Sequence, residues 1–118
     1  MSEPILLRVY DVVAGDRCVD TADAQRVHDK IAPLFRNDTG VVLSFDGITM
    51  VITAFLNAAI GQLYGEFPEE KVDRLVEVRD LLPVFKTTRD KSREWSKAYF
   101  RDPERIKRSI QEVMGNEE

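Results

Sequence analysis

Cysteine is nearly absent: Cys18 stands alone among 118 residues. No internal disulfide can form, and a cytosolic, reducing compartment is the natural reading. Histidine is equally scarce, His28 being the only one. A zinc site would have to lean on carboxylates, and no pair shows ligand spacing. The acidic residues also lack the pattern of a calcium loop. No metal and no cofactor is expected. Glycine-rich phosphate loops are missing, since Ala14-Gly15-Asp16 and Asp38-Thr39-Gly40 read as turns. No apolar run approaches the ~20 residues that span a bilayer. The longest, from Ile48 to Ile60, is interrupted by Thr49, Thr53 and Asn57. Met1-Ser2-Glu3-Pro4 has no basic region, and Arg8 and Asp11 break the apolar stretch after it. No secretory leader is therefore expected. Internal repeats, low-complexity tracts and linkers are not seen.

What is present is the balance of one globular domain over residues 1–118. Hydrophobic residues make up 43% and charged residues 32%, enough for an independent core. Alternating signals run along the chain. Ile5 to Val13 is rich in β-branched and aromatic residues and predicts a strand ending at Ala14-Gly15-Asp16. Asp20 or Thr21 offers a cap for a helix to about Phe35, with Ala24, Val27, Ile31, Leu34 and Phe35 on one stripe. Pro33 is expected to distort that helix or end it early. Val41 to Phe45 is nearly all apolar and suits a central strand. A second helix is expected from about Thr53 to Gly65. Ile52, Phe55, Leu56, Ala59, Ile60 and Leu63 form its apolar face.

Val72 to Val78 reads as a third strand. A third helix is expected over roughly Pro83 to Phe100, with Val84, Phe85, Trp95, Ala98 and Tyr99 packed inward. Asp102-Pro103 then opens a fourth, with Ile106, Ile110, Val113 and Met114 on a narrow apolar face. Arg17-Cys18-Val19 could hide a fourth strand, paired to the first as a hairpin. The order β, α, β, α, β, α, α predicts an α/β sheet with parallel pairs and covering helices.

Net charge is −4, but unevenly spread: from Lys86 to Arg108 there are nine Lys/Arg against four Asp/Glu. Lys86, Arg89, Arg93, Lys97, Arg101, Arg105 and Arg108 could form an electropositive surface. One reading is a nucleic-acid contact through phosphates. Another is an acidic protein partner. The plainest is a solvated helix face partly offset by Asp90, Glu94 and Glu104. A pI near 5.1 argues against a dedicated nucleic-acid binder.

Chemistry-bearing residues are sparse. His28 lacks a nucleophile or orienting carboxylate in any motif, and reads as a surface or boundary helix histidine. Cys18 reads as a buried, inert thiol. Thr53 stands at a helix start, where a phosphate would face free N–H groups; the plainer reading is an N-cap. An enzyme would need a pocket gathering His28, Cys18 or paired carboxylates, and none is expected.

Val42-Leu43-Ser44-Phe45-Asp46-Gly47 followed by Val51-Ile52-Thr53-Ala54-Phe55-Leu56 resembles the core of the STAS-like domains of unknown function, the DUF4325 group. There a strand of the type v-x-l-d-f-x-g-v precedes v/i-t-x-s-F and a helix. The likeness is close at Phe45, Asp46, Gly47, Val51, Phe55 and Leu56, and runs more weakly to about Phe85. It implies a STAS-like mixed sheet of about four strands with helices mainly on one face. Residues 85–118 would form a basic, helical C-terminal extension. It also implies a regulatory, non-enzymatic protein-interaction module in a bacterial cytoplasm. Anti-sigma factor antagonists of this fold bind a histidine-kinase-like ATPase, and phosphorylation at the helix start releases the complex. Carried onto this sequence, the pattern makes Asp46, Thr49, Thr53 and Asn57 the partner contacts and Thr53 the phospho-acceptor. Here Ile52, not aspartate, precedes it. A nucleic-acid-associated module using the basic C-terminal helices is the alternative.

Overall fold

The computed structural model describes residues 3–104. Strand β1 (Ile5–Arg8) gives way at once to helix α1 (Val9–Val13), so the strand expected through Val13 stops early. The helical turn puts Val9, Val12 and Val13 on one side against the core, which an extended chain would split between two faces. Tertiary packing here overrides β propensity.

Strand β2 (Arg17–Cys18) pairs in parallel with β4 (Met50–Val51), not with β1, so no hairpin forms. Its register joins Arg17 to Met50 and Cys18 to Val51. Helix α2 (Thr21–Arg36) begins at Asp20, whose side chain accepts from the Ala22 N–H at 2.8 Å. Contrary to expectation, Pro33 does not end it. Pro33 is exposed, and the Asp29 carbonyl left without its bond lies on the same solvent-facing side.

Strand β3 (Val41–Ser44) is buried along its whole length and central, with β1 and β5 (Val76–Arg79) on either side. Ile5, Val41 and Val76 lie in line at one end, and Arg8, Ser44 and Arg79 at the other. Both pairings are parallel because each connection crosses over through helices. The expected single mixed sheet of about four strands is therefore corrected. Among the described residues the chain makes a three-stranded and a separate two-stranded sheet, both parallel. Val41, Leu43, Val76 and Val78 face the core with Leu7. Leu6, Arg8, Glu77 and Arg79 on the other face are exposed.

Between β4 and β5 the chain is helical. Helix α3 (Thr53–Leu56), a π-helical turn (Asn57–Gly61) and α4 (Leu63–Glu66) form one rod. Phe55, Leu56, Ala59, Ile60, Leu63 and Tyr64 are buried, as the apolar stripe predicts, whereas Ile52 is exposed. Helix α5 (Glu69–Leu75) replaces most of the third strand expected over Val72 to Val78. Glu69 and Glu70 in its first turn and Arg74 in its last suit the helix dipole, and Val72 and Leu75 share its buried face.

A 3₁₀ turn (Pro83–Phe85) leads into α6 (Lys86–Arg101). Its buried residues are Ser92 and Ser96; of the expected apolar set, Phe85 packs half-buried against the core and Ala98 is exposed. Val84 and Trp95 are 74% and 44% exposed. The reason lies in the rod. Ser92 donates to Asn57 Oδ1 at 2.6 Å, Ser96 lies against Gly61, and the Phe100 ring lies against Gly65. The constant offset of 35 residues means α6 runs parallel to the rod. Of the expected fourth helix, Pro103 and Glu104 are helical, and the rest lies outside the described residues.

Candidate functional site

The carboxyl ends of β1, β3 and β5 share one edge of the sheet, where open parallel sheets usually present their ligands. From β3 the chain passes Phe45, which is buried and whose N–H donates to the Arg79 carbonyl at 2.8 Å. Ser44 donates to Asp80 Oδ2 at 2.9 Å and accepts from the Asp46 N–H at 3.2 Å. These bonds brace the turn at Asp46-Gly47. Gly47 has φ +84°, and a Cβ there would stand 3.1 Å from the Tyr10 ring. Only glycine fits both the left-handed backbone and the space.

The exposed Asp46 carboxylate lies 3.7 Å from Arg8. Thr49 is exposed and anchored, its hydroxyl donating to Asp16 Oδ2 at 2.9 Å and its N–H to the Asp16 carbonyl at 2.8 Å. Thr53 is exposed in the first turn of α3, and Ile52 holds the capping position without a side-chain bond. The threonine is thus not the N-cap that its position suggests. Asn57 is half-buried, its Oδ1 taken by Ser92. The structure thus brings Asp46, Thr49 and Thr53 onto one exposed loop and turns Asn57 toward α6.

Sequence reasoning missed the apolar part of this surface. Val19 and Ile52 directly follow the paired Cys18 and Val51, and the Ile52 N–H donates to the Cys18 carbonyl at 3.2 Å. Val19, Met50 and Ile52 are 42%, 37% and 38% exposed, immediately before Thr53. The signal was available in alternation: Cys18 and Val51 face in, so their strand neighbours face out.

The other chemistry-bearing residues sit apart from the loop. His28 is buried, with Nδ1 3.0 Å from Asp29 and Nε2 against Glu66. It ties α2 to α4 rather than lying at the surface. Among the described residues no group of three or more His, Cys, Asp or Glu is placed to hold a metal. Two shallow hollows, of about 460 and 370 Å³, lie at the amino end of the sheet beside Asp38 and Arg74, and along β1 beside Lys30. Neither includes Thr53.

Cys18 is fully buried, and burial followed by the nearby Asp23 carboxylate pushes its thiol up to about 12. Burial thus holds the thiol in its unreactive protonated form at pH 8, where a free cysteine is partly ionised. The folded protein is therefore expected to resist iodoacetamide at pH 8 and to react fully once unfolded in urea, as read by intact mass. Rapid labelling of the native chain would contradict this.

Residues 23–83, just over half of the chain, match the model of a family described as STAS-like domain of unknown function (DUF4325). The chain belongs to that family. No curated protein and no solved structure gives a match. The family region of this STAS-like domain runs from α2 to the start of the 3₁₀ turn. It contains the loop from Asp46 to Thr53 and excludes α6. No helix among the described residues is long and apolar enough to cross a membrane.

Proposed function

We propose that this STAS-like domain is a regulatory protein-interaction module that binds a kinase-like ATPase through the loop entering α3. One observation carries the reading: three exposed apolar side chains, Val19, Met50 and Ile52, flank an exposed hydroxyl at a helix start. Apolar side chains ringed by polar groups are the usual core of a binding patch. Asp46 and Thr49 supply that polar rim. Thr53 is the phospho-acceptor in this reading, because a phosphate there faces the first-turn N–H groups of α3 and reverses the local charge. Asn57 contributes at the margin, since Ser92 holds its side-chain oxygen.

The test is isothermal titration of the purified chain against the histidine-kinase-like ATPase of the same cell. Ile52→Asp is expected to weaken binding by more than about tenfold, as for a central apolar anchor. The same change at an exposed position alters stability little, within about 0.5 kcal/mol. If the unaltered chain does not bind, or Ile52→Asp binds equally well, the loop is not the recognition surface.

A further inference from the structure

The larger of the two hollows, about 460 Å³, lies at the amino end of the three-stranded sheet, the opposite end of the strands from the loop that leads to Thr53. Its apolar wall is Pro4, Val42 and Leu75, the last two only 8% and 7% exposed. Gly40 also lines it, between the other two ends of that wall. A Cβ at Gly40 would stand 3.3 Å from the Leu75 carbonyl oxygen and 3.8 Å from the Pro4 side chain. Glycine thus leaves open a space that a side chain would begin to fill.

Three charged residues line the same hollow: Asp38, Arg74 and Glu77. Two of them are matched. Lys71 meets Asp38 at 3.0 Å, and Arg79 donates to Glu77 at 2.8 Å from Nε and lies 2.6 Å away through its second nitrogen. Arg74 is not matched. It is exposed in the last turn of α5, where its charge suits the helix dipole. Among the described residues no carboxylate forms an ion pair with it. Asn37, exposed on the same rim, brings a side-chain amide with two N–H donors.

Charge and shape together select the class of ligand. Three cations, Arg74, Lys71 and Arg79, stand against two carboxylates, Asp38 and Glu77, which leaves a single positive charge. A guanidinium fork meets both oxygens of a carboxylate at once. A phosphate monoester carries nearly two charges and would be half matched beside two acids. The hollow falls within the range of small-molecule sites, about 300–1,000 Å³, and such sites pair an apolar lining with a few polar groups.

We propose that Arg74 and Asn37, with the wall of Pro4, Val42 and Leu75, form a binding site for a small organic monocarboxylate with an apolar body. Arg74 meets the carboxylate, Asn37 donates a further bond, and the body lies against the wall. The site is separate from the loop at Thr53, so it stands whether or not an ATPase binds there.

The experiment is titration of the full chain with octanoate and with 4-phenylbutyrate, followed by amide shifts in NMR. Acetate supplies the charge without the body, 4-phenylbutyramide the body without the charge, and inorganic phosphate the wrong charge. At least one of the two larger carboxylates is expected to shift the amides of residues 37–42 and 74–77 and to bind at least about tenfold more tightly than any of the three controls. Arg74→Gln, at an exposed position, is expected to weaken that binding at least about tenfold with the rest of the spectrum unchanged. Lys91→Gln, on exposed α6, is expected to leave it unaltered. The proposal is overturned if neither carboxylate shifts an amide there, if phosphate or the neutral amide binds as tightly, if Arg74→Gln binds as the unaltered chain does, or if Lys91→Gln weakens binding equally.

Discussion

Replacing Gly61 with alanine is expected to lift α6 off the rod while the rest of the domain stays folded. A Cβ at Gly61 would stand 2.2 Å from Ser96 Oγ and 3.2 Å from Ser96 Cβ. Rotating the hydroxyl removes the first clash, since Ser96 Oγ has no bond to lose. The second remains, because Cβ moves only with the helix. Overpacking of this kind costs about 1–3 kcal/mol. The seam has little apolar area with which to absorb it, its buried α6 residues being Ser92 and Ser96. The outcome should therefore be local: faster amide exchange across α6 and new tryptic cuts at Arg89, Lys91 and Arg93, with the sheet still protected. Gly65→Ala provides the contrast. Its Cβ would meet the Phe100 ring at 2.3 Å, but that ring is 37% exposed and can swing outward. Equal exchange in both variants, or none in either, would show that the seam does not hold α6.

Phe55→Ala is expected to produce the largest loss of global stability. Phe55 is fully buried in the first turns of the rod, among the core residues that join the helices to β3. Removing a buried phenyl ring leaves both a transfer loss and a cavity, together about 3–5 kcal/mol. Against a typical domain stability of about 5–15 kcal/mol this is a large share. The urea midpoint should fall by roughly 2 M. Ile52→Ala, three residues earlier and 38% exposed, should change it little. A small effect of Phe55→Ala would mean that the rod is not seated on the core as described.

Legibility in the sequence followed the strength of periodicity. The α2 stripe and the apolar run at Val41 to Phe45 were readable because one spacing dominates each. The rod was readable as a helix from Phe55, Leu56, Ala59, Ile60 and Leu63, but nothing in that spacing announces a π turn. Three misreadings had signals that pointed the right way. Pro68 and Glu69-Glu70 before Val72 are helix-start chemistry, outweighed in the reading by the valines that follow. Val9, Val12 and Val13 already repeat at helical spacing inside an apparently β-rich stretch. His28 shares a face with Ile31, Ala32 and Phe35, so its burial was implied by the stripe itself. The α6 face was not readable. Its buried residues are Ser92, opposite Asn57, and Ser96, opposite Gly61, and serines look solvent-facing until the partner helix is known.

The candidate site was legible in part. Asp46-Gly47 as a bend and Thr53 as an exposed helix start could be read from turn and cap chemistry. The apolar ridge needed the pairing of Arg17–Cys18 with Met50–Val51, a contact between segments more than thirty residues apart. Short two-residue strands carry too little pattern to reveal such a pairing.

The bend at Gly47 has a consequence for how this family can vary. The Tyr10 ring lies against it, and the positive φ there holds the bend to glycine. Asp46 and Thr49 on either side are exposed and held by polar contacts alone, to Arg8 and to Asp16. Descendants of this fold can therefore exchange their outward chemistry, and with it their choice of associate, around a corner whose geometry stays put.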